Sequence, residues 1–380
     1  MKVAVFTDND FDKINGVTTA LTAVLAHAPS DIKPRIFTAS RLASDHPDYL
    51  AYASVGVGIP FYPEMKMYVP HWRRYLDRVI ADGVDVIHLT TPGPMGLVAL
   101  WVAAQTRLPM VGSFHTDLAA YTRLLSGSER LGALMGEYMR WMYGRCARVL
   151  VPSEATRLLM QNAKMRPEQL AVWTRGVDTM LFSPDKRSEQ LRAEWRASDE
   201  RPLLLYVGRI SREKGLAMLP LLQDALRARG VNHQLVVAGE GPMQRELADQ
   251  CHDAIFTGPL GRDMVSRVFA SADLFVFPSE TDTAGNVVLE AQASGLPVVV
   301  SDRGGPKENL RPGLSGQVCT GQNPHVWAEA VARYFGSPDV RRAAAAEARA
   351  YALTRRWDVA LAPLYDSYRE LGHGRAQRAA

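Results

Sequence analysis

The sequence predicts an α/β protein of two doubly wound domains, each a parallel sheet covered by helices on both faces. Two observations carry this. Short apolar runs alternate with helical patterns along the chain, and the series breaks off and restarts once near the middle. Length agrees, because 380 residues exceed one ordinary core and suit two domains.

In the first half, Val3–Phe6 is a short apolar run, followed by a glycine-containing loop and the helical pattern Val17–His27. Similar runs recur at Val84–Leu89, Met110–Ser113 and Arg148–Pro152, separated by helical patterns such as Leu97–Gln105 and Leu131–Tyr143. Alternation of this kind predicts parallel strands joined by helical crossovers. The stretch from Gly176 to about Pro202 is polar and helix-breaking, and a second series restarts at Leu203–Val207. It continues with Leu216–Arg229 as helix, Gln234–Ala238 as strand, Met264–Ala272 as helix and Leu274–Phe277 as strand. A helix from about Gly285, strand Pro297–Ser301, a short helix near Lys307 and helices Pro324–Phe335 and Val340–Ala352 complete it. The expected domains are residues 1–180 and 181–354. Trp357–Glu370 carries Val359, Leu361, Leu364, Tyr365 and Tyr368, the pattern of an amphipathic helix, and residues 355–380 are expected to pack back on the first domain.

The composition, 47% hydrophobic and 22% charged, is that of a folded chain. The longest stretch without charged or polar residues, near Met95–Ala104, falls far short of the roughly 20 apolar residues that span a bilayer. Met1 and Lys2 run straight into Val3–Phe6 without the apolar core of a secretory signal, so a cytoplasmic protein is expected. Cys146, Cys251 and Cys319 are odd in number and lack metal-type spacing, which argues against a disulfide framework or zinc site. A net charge of +4 gives a weak bias toward anionic partners such as nucleotides or acidic lipid, and does not imply nucleic acid.

Ligands of doubly wound sheets bind at the carboxyl ends of the strands, in a cleft expected between the two domains, so the loops after strands are where chemistry is sought. The most informative is Phe277–Ala291, which follows a strand and opens a helix. A glycine at the turn lets a phosphate approach, and the amides of Gly285, Asn286 and Val287 would point at it with the helix dipole behind them. Asp282 precedes the helix and Glu290 lies more than a turn inside it, so the two carboxylates address separate hydroxyl groups. The plain structural alternative is that Asp282 or Thr283 caps the helix while Glu290 makes a surface salt bridge. Arg209 and Lys214 sit in Gly208–Gly215, after the first strand of the second half; a planar fork and a flexible point charge together suit a leaving diphosphate.

With these motifs the chain resembles the GT-B-type retaining glycosyltransferases of family 4 over nearly its whole length. Gly208–Gly215 is similar to that family's Gly-Arg-x-x-x-x-Lys-Gly loop, and Asp282 to Glu290 to its paired-acid motif. Thr7-Asp8 with Asn15-Gly16-Val17 resembles its first glycine-rich loop, Phe114-His115-Thr116-Asp117 its histidine segment, and Val151-Pro152-Ser153 a strand end. Ser294–Val299 and Gly304-Gly305 extend the match. The resemblance implies two Rossmann-like domains in which Arg209 and Lys214 neutralise the diphosphate and Glu290 binds the ribose. Asp282 and His115 would hold hydroxyls of the donor sugar, Asn15 and Gly16 would form the first loop, and backbone near Gly241 and Leu260 would read the base. Two departures bear on the donor: Asp282 stands where the family usually has Glu, and Ala284 where it has an aromatic residue.

Asp8-Asn9-Asp10 has the Asp-x-Asp form by which other glycosyltransferases bind a metal, but it follows the first strand, away from the phosphate residues, and is read as loop and cap chemistry. Neither a metal nor a cofactor is expected. The acceptor is expected in the first half, whose loops include Phe61–Tyr68 and the stretch Tyr121–Arg148. The latter mixes Leu124, Leu125, Leu131, Leu134, Met135, Met139, Trp141 and Met142 with Arg123, Arg130, Arg140 and Arg145, a mixture that suits an anionic membrane surface and a lipid acceptor, or equally a core helix with a solvated face. Within the family the Phe61–Lys66 stretch and the Thr-Asp-Thr form of the acid motif look most like bacterial mannosyltransferases that use GDP-mannose and build glycolipids, with a UDP-sugar next in order. The alternatives are a sugar-nucleotide epimerase or a non-catalytic nucleotide-sugar binder on the same fold.

Overall fold

The computed structural model describes residues 1–11, 15–39, 48–52, 55–59 and 62–379. It divides the chain into two compact units, Met1–Arg175 with Ala360–Ala380, and Gly176–Val359.

Among the described residues, the first unit is built on a seven-stranded parallel sheet in the order β3-β2-β1-β6-β7-β8-β9. Its strands are β1 (Lys2–Thr7), β2 (Lys33–Thr38), β3 (Tyr49–Ala51), β6 (Val86–Leu89), β7 (Met110–Ser113), β8 (Arg148–Val151) and β9 (Leu170–Val172). A separate antiparallel pair is formed by β4 (Gly56–Ile59) and β5 (Tyr62–Tyr68). The stretch proposed for the acceptor therefore forms a strand rather than a loop, and its first residue, Phe61, lies outside the described residues. Four of this unit's helices start at side-chain caps. Asn15 accepts from the Val17 and Thr18 amides at the head of Gly16–Ala26, and Asp117, Ser128 and Ser153 do the same for Leu118–Ser126, Glu129–Tyr143 and Glu154–Asn162. The C-terminal helix Ala362–Ala379 belongs to this unit, where the Tyr365 hydroxyl donates to Val24 O at 2.9 Å.

The second unit carries a six-stranded parallel sheet in the order β12-β11-β10-β13-β14-β15. Its strands are β10 (Leu203–Val207), β11 (Gln234–Ala238), β12 (Ile255–Gly258), β13 (Leu274–Phe277), β14 (Val298–Ser301) and β15 (Gly316–Cys319). All residues of β10, β13 and β14 are buried, which explains why they read as unbroken apolar runs: a central parallel strand is covered on both faces. The order reverses between β1 and β6 in the first unit and between β10 and β13 in the second. At such a switch point neighbouring crossovers leave to opposite faces and open a crevice beyond the strand ends.

Candidate active site

In the second unit the switch point brings two of the proposed residues together. Gly208–Gly215 follows β10 and Pro278–Gly285 follows β13, its hydrogen-bonded neighbour. Lys214 Nζ donates to Asp282 Oδ2 at 2.7 Å, both side chains being mostly buried, and the ammonium lies 5.7 Å from the Phe277 ring centroid. The loops are stapled, since the Thr281 hydroxyl donates to Glu213 O at 2.8 Å and the Ser279 hydroxyl to the same oxygen at 3.3 Å. Burial works against both charges. For Lys214, Asp282 together with Tyr206 and Glu213 outweighs burial and holds the pKa above its ordinary value; for Asp282, Lys214 and two backbone amides outweigh it and hold the pKa below.

The turn before the helix differs in one respect from the sequence expectation. Asp282 Oδ1 accepts from Gly285 N at 2.7 Å and from Ala284 N at 3.1 Å, so the Gly285 amide is already engaged and is not offered to a phosphate. The other two residues expected to form a cradle, Asn286 and Val287, open helix Asn286–Ala293. Asp282 thus closes the turn ahead of the helix without capping it, since the N-cap position is Gly285, and it pairs with Lys214 through its other oxygen. Gly285 has φ +69°, and a Cβ there would lie 2.8 Å from Pro306 Cα, so the position requires glycine. Gly304-Gly305 has a similar reason: a Cβ on Gly305 would fall 2.1 Å from Thr283 O, and its amide donates to Asp282 O at 2.9 Å.

Glu290 makes no surface salt bridge among the described residues. The residue is partly exposed, but burial of its carboxyl lifts the pKa to about 7, only partly offset by the charge of Arg262. Arg262 opens helix Arg262–Ser271 and escaped the sequence reading, because nothing local marks a residue whose relevance lies in a neighbour 28 positions on. Arg209 is half-buried beside Glu213, with its pKa lowered by burial. Gly241 follows β11 on a loop bound to the Arg209–Lys214 loop, through Ile210 N to Glu240 O at 2.8 Å and Met243 N to Ile210 O at 3.0 Å. Leu260 packs against the unit's core.

In the first unit, Asn15 spends its side-chain oxygen on capping, which sets it as the anchor of the Gly16 helix start; residues 12–14 before it lie outside the described residues. Asp8 is turned inward, Oδ1 accepting from Met95 N at 2.8 Å and Oδ2 from the Thr91 hydroxyl at 2.5 Å, and burial raises its pKa to about 6. Asp8 thereby satisfies a first-turn amide of helix Pro94–Thr106, whose own N-cap residue, Gly93, has no side chain to do so. Among the described residues no group of three or more His, Cys, Asp or Glu side chains is placed to hold a metal. His115, just beyond β7, has both ring nitrogens engaged: Nε2 with Ser113 Oγ at 2.7 Å and Nδ1 with Arg175 Nη2 at 2.9 Å. A sugar hydroxyl reaches either nitrogen only by displacing one of these partners.

Helices Leu118–Ser126 and Glu129–Tyr143 divide the mixed stretch. Met139 and Met142 are core, whereas Leu124, Leu125, Leu131, Leu134 and Trp141 are exposed. Arg123 pairs with Glu129, Arg140 pairs with Glu137, and Arg145 lies 4.1 Å from the Trp141 ring centroid. Among the described residues no helix is long and apolar enough to cross a membrane.

Lys214 and Asp282 thus meet at the switch point, on the loop that also carries Arg209 and the loop that leads to the helix of Glu290. Residues 14–181 match the model of Glycosyltransferase Family 4 and residues 187–351 that of Glycosyl transferases group 1. A GDP-mannose-dependent alpha-mannosyltransferase of Corynebacterium glutamicum is 31% identical over 323 residues, covering 83% of this chain and 76% of the relative. An alpha-monoglucosyldiacylglycerol synthase of Streptococcus pneumoniae is 26% identical over 314 residues, covering 79% and 70%. In fold, the crystal structure of Anabaena Alr3699/HepE in complex with UDP superposes with a TM-score of 0.79 at 18% identity, over 97% of this chain and all of that one. The chain belongs to the family 4, group 1 glycosyltransferases: it is a hexosyltransferase of the GT-B fold.

Proposed function

We propose that the chain is a retaining, metal-independent mannosyltransferase that moves mannose from GDP-mannose onto a lipid or glycan acceptor at the inner face of the cell membrane. The observation that carries the donor reading is the Lys214–Asp282 pair at the β10/β13 switch point, with the half-buried Glu290 on the helix that follows. Lys214 and Arg209 neutralise the diphosphate, Asp282 and His115 hold sugar hydroxyls, and Glu290 accepts from the ribose. Backbone at Gly239–Pro242 and Thr257–Leu260 reads the base.

No side chain in this set is a free nucleophile aimed at a sugar, which favours departure and attack on one face. The anomeric carbon to phosphate-oxygen bond breaks, the acceptor oxygen bonds the same face of that carbon, and its proton passes to the leaving phosphate. The protein contributes position and stabilisation of the charge that develops on the diphosphate. Mannose is favoured by the Corynebacterium relative, and a lipid acceptor by the Streptococcus relative and by the exposed leucines and Trp141 among arginines.

A thermal-shift panel of GDP, UDP and ADP tests the base, since a ligand at 100 times its dissociation constant stabilises a fold by about 2.7 kcal/mol. GDP should give the largest shift. Transfer from GDP-mannose to lipid acceptors in anionic vesicles, with the product's anomeric configuration read by proton NMR, tests the rest. A larger shift with UDP, or an inverted product, overturns the corresponding part.

A further inference from the structure

The first unit contains a buried hydrogen-bond chain that leads away from His115 to the C-terminal helix. The Tyr368 hydroxyl is 2.6 Å from His88 Nδ1, and His88 Nε2 is 2.8 Å from Ser113 Oγ. Ser113 Oγ is in turn 2.7 Å from His115 Nε2, and His115 Nδ1 is 2.9 Å from Arg175 Nη2. Tyr368, His88 and Ser113 are fully buried, and Arg175, 2% exposed, lies with its guanidinium carbon 4.4 Å from the Trp173 ring centroid.

The end at Arg175 sets the proton positions. A guanidinium only donates, so His115 Nδ1 accepts, and a neutral imidazole then carries its proton on Nε2 and donates it to Ser113. Both rings are neutral: burial, with the Arg175 charge adding to it, lowers the His88 pKa to about 3 and that of His115 well below its ordinary value. His115 is thereby held in one tautomer and one orientation. Ser113 is the partner that fixes its Nε2 side, and His88 and Tyr368 stand behind Ser113, where water is excluded and each lost partner leaves a buried polar group unsatisfied.

We infer that Ser113, His88 and Tyr368 are positioning residues for His115, so that turnover depends on the C-terminal helix through one phenol hydroxyl. The inference rests on the reading that His115 addresses the donor sugar. Hydroxyls that merely dock the helix make a built-in comparison, because Tyr365, on the same helix, donates instead to Val24 O at 2.9 Å.

The test uses the full chain with nitrogen-15-labelled histidine. In the wild type, His115 should show the Nε2-protonated tautomer with a slowly exchanging ring proton. Ser113→Ala should abolish that protection and lower kcat by roughly tenfold to a hundredfold, the scale on which misplacement of an active-site group is felt, with the donor KM changed by less than about threefold. Tyr368→Phe should act in the same direction and less strongly, whereas Tyr365→Phe should lower thermal stability comparably and leave kcat and the His115 signal unchanged. An unaltered kcat and ring-proton signal in both Ser113→Ala and Tyr368→Phe overturns the inference, as does an equal loss of kcat in Tyr365→Phe. Full turnover in His115→Ala overturns the placement of His115, and with it the link to turnover. Loss of turnover in His115→Ala with none in Ser113→Ala or Tyr368→Phe overturns the positioning chain alone.

Discussion

Lys214 Nζ lies 2.7 Å from Asp282 Oδ2, so a cation suited to the diphosphate and an acid suited to the sugar neutralise each other before any donor arrives. On the proposed reading each gives up part of this pair to the donor, and substitutions of the two should then fail in opposite directions. Asp282→Asn keeps an oxygen for the Gly285 amide and frees the Lys214 charge. Free nucleoside diphosphate should then bind at least as tightly as to the wild type, while transfer falls because a charge-assisted contact to the sugar, about 1.5–3 kcal/mol, is lost. Lys214→Ala should weaken the nucleotide and abolish transfer. Calorimetry beside transfer rates checks both, and equal weakening of the free nucleotide in the two variants would show that Asp282 is not the sugar-reading acid.

Glu290 predicts a pH dependence. Its pKa is raised to about 7 by burial, so in the folded protein it is neutral below that pH and ionised above it. An ionised carboxylate accepts ribose hydroxyls more strongly, so nucleotide affinity should fall as pH drops through 7, and Glu290→Gln should remove that component. For stability the sign is reversed. A raised acid pKa favours the folded state below the unfolded value and loses that contribution as pH rises through 7, so Glu290→Gln should raise the thermal midpoint at pH 8 and have little effect at pH 5. A gain that is equal at both pH values would refute the assignment.

Gly285→Ala should damage the turn itself. A side chain at φ +69° against Pro306 costs about 1–3 kcal/mol of backbone strain, and relief by shifting the turn moves Asp282 and the head of the helix together. Lower thermal stability and lower nucleotide affinity are expected together; retention of wild-type nucleotide affinity by a folded variant would separate the turn from the donor site.

Asp8 is expected to be structural. Asp8→Ala leaves the Met95 amide and the Thr91 hydroxyl without their partner and should cost about 1–3 kcal/mol in unfolding experiments. Wild-type turnover should survive excess chelator, and a complete loss restored by a divalent ion would revive Asp8-Asn9-Asp10 as a metal site.

The sheets were legible where burial is complete. β10 and β13 are apolar throughout, and β1 and β14 are apolar over Val3–Phe6 and Val298–Val300, because both faces are covered there, and periodicity with flanking glycine placed them. Strands that the reading passed over, such as β2, with Lys33, Pro34 and Arg35, and β15, Gly316–Cys319, are polar or short. Their identity comes from pairing: β2 is held along its length by β1, and β15 by β14. The Gly208–Gly215 and Asp282–Glu290 loops stood out because glycine and charge after a buried strand have few purely structural uses, but their engagement with each other did not. The Gly285 amide shows the limit, being marked by sequence as free and found already bonded to Asp282.

By itself the sequence determined what depends on neighbours along the chain: two alternating series, the strand-to-helix turns, the caps, and a set of residue types suited to a nucleotide sugar. Tertiary structure decided which of those residues meet. Lys214 and Asp282 are 68 positions apart, His115 and Arg175 are 60 apart, and His88 and Tyr368 are 280 apart. Strand order within each sheet, and the return of the last helix to the first unit, bring them within hydrogen-bonding distance. Local periodicity says which face of an element is buried, but the partner a buried charge finds there is set by the element packed beside it.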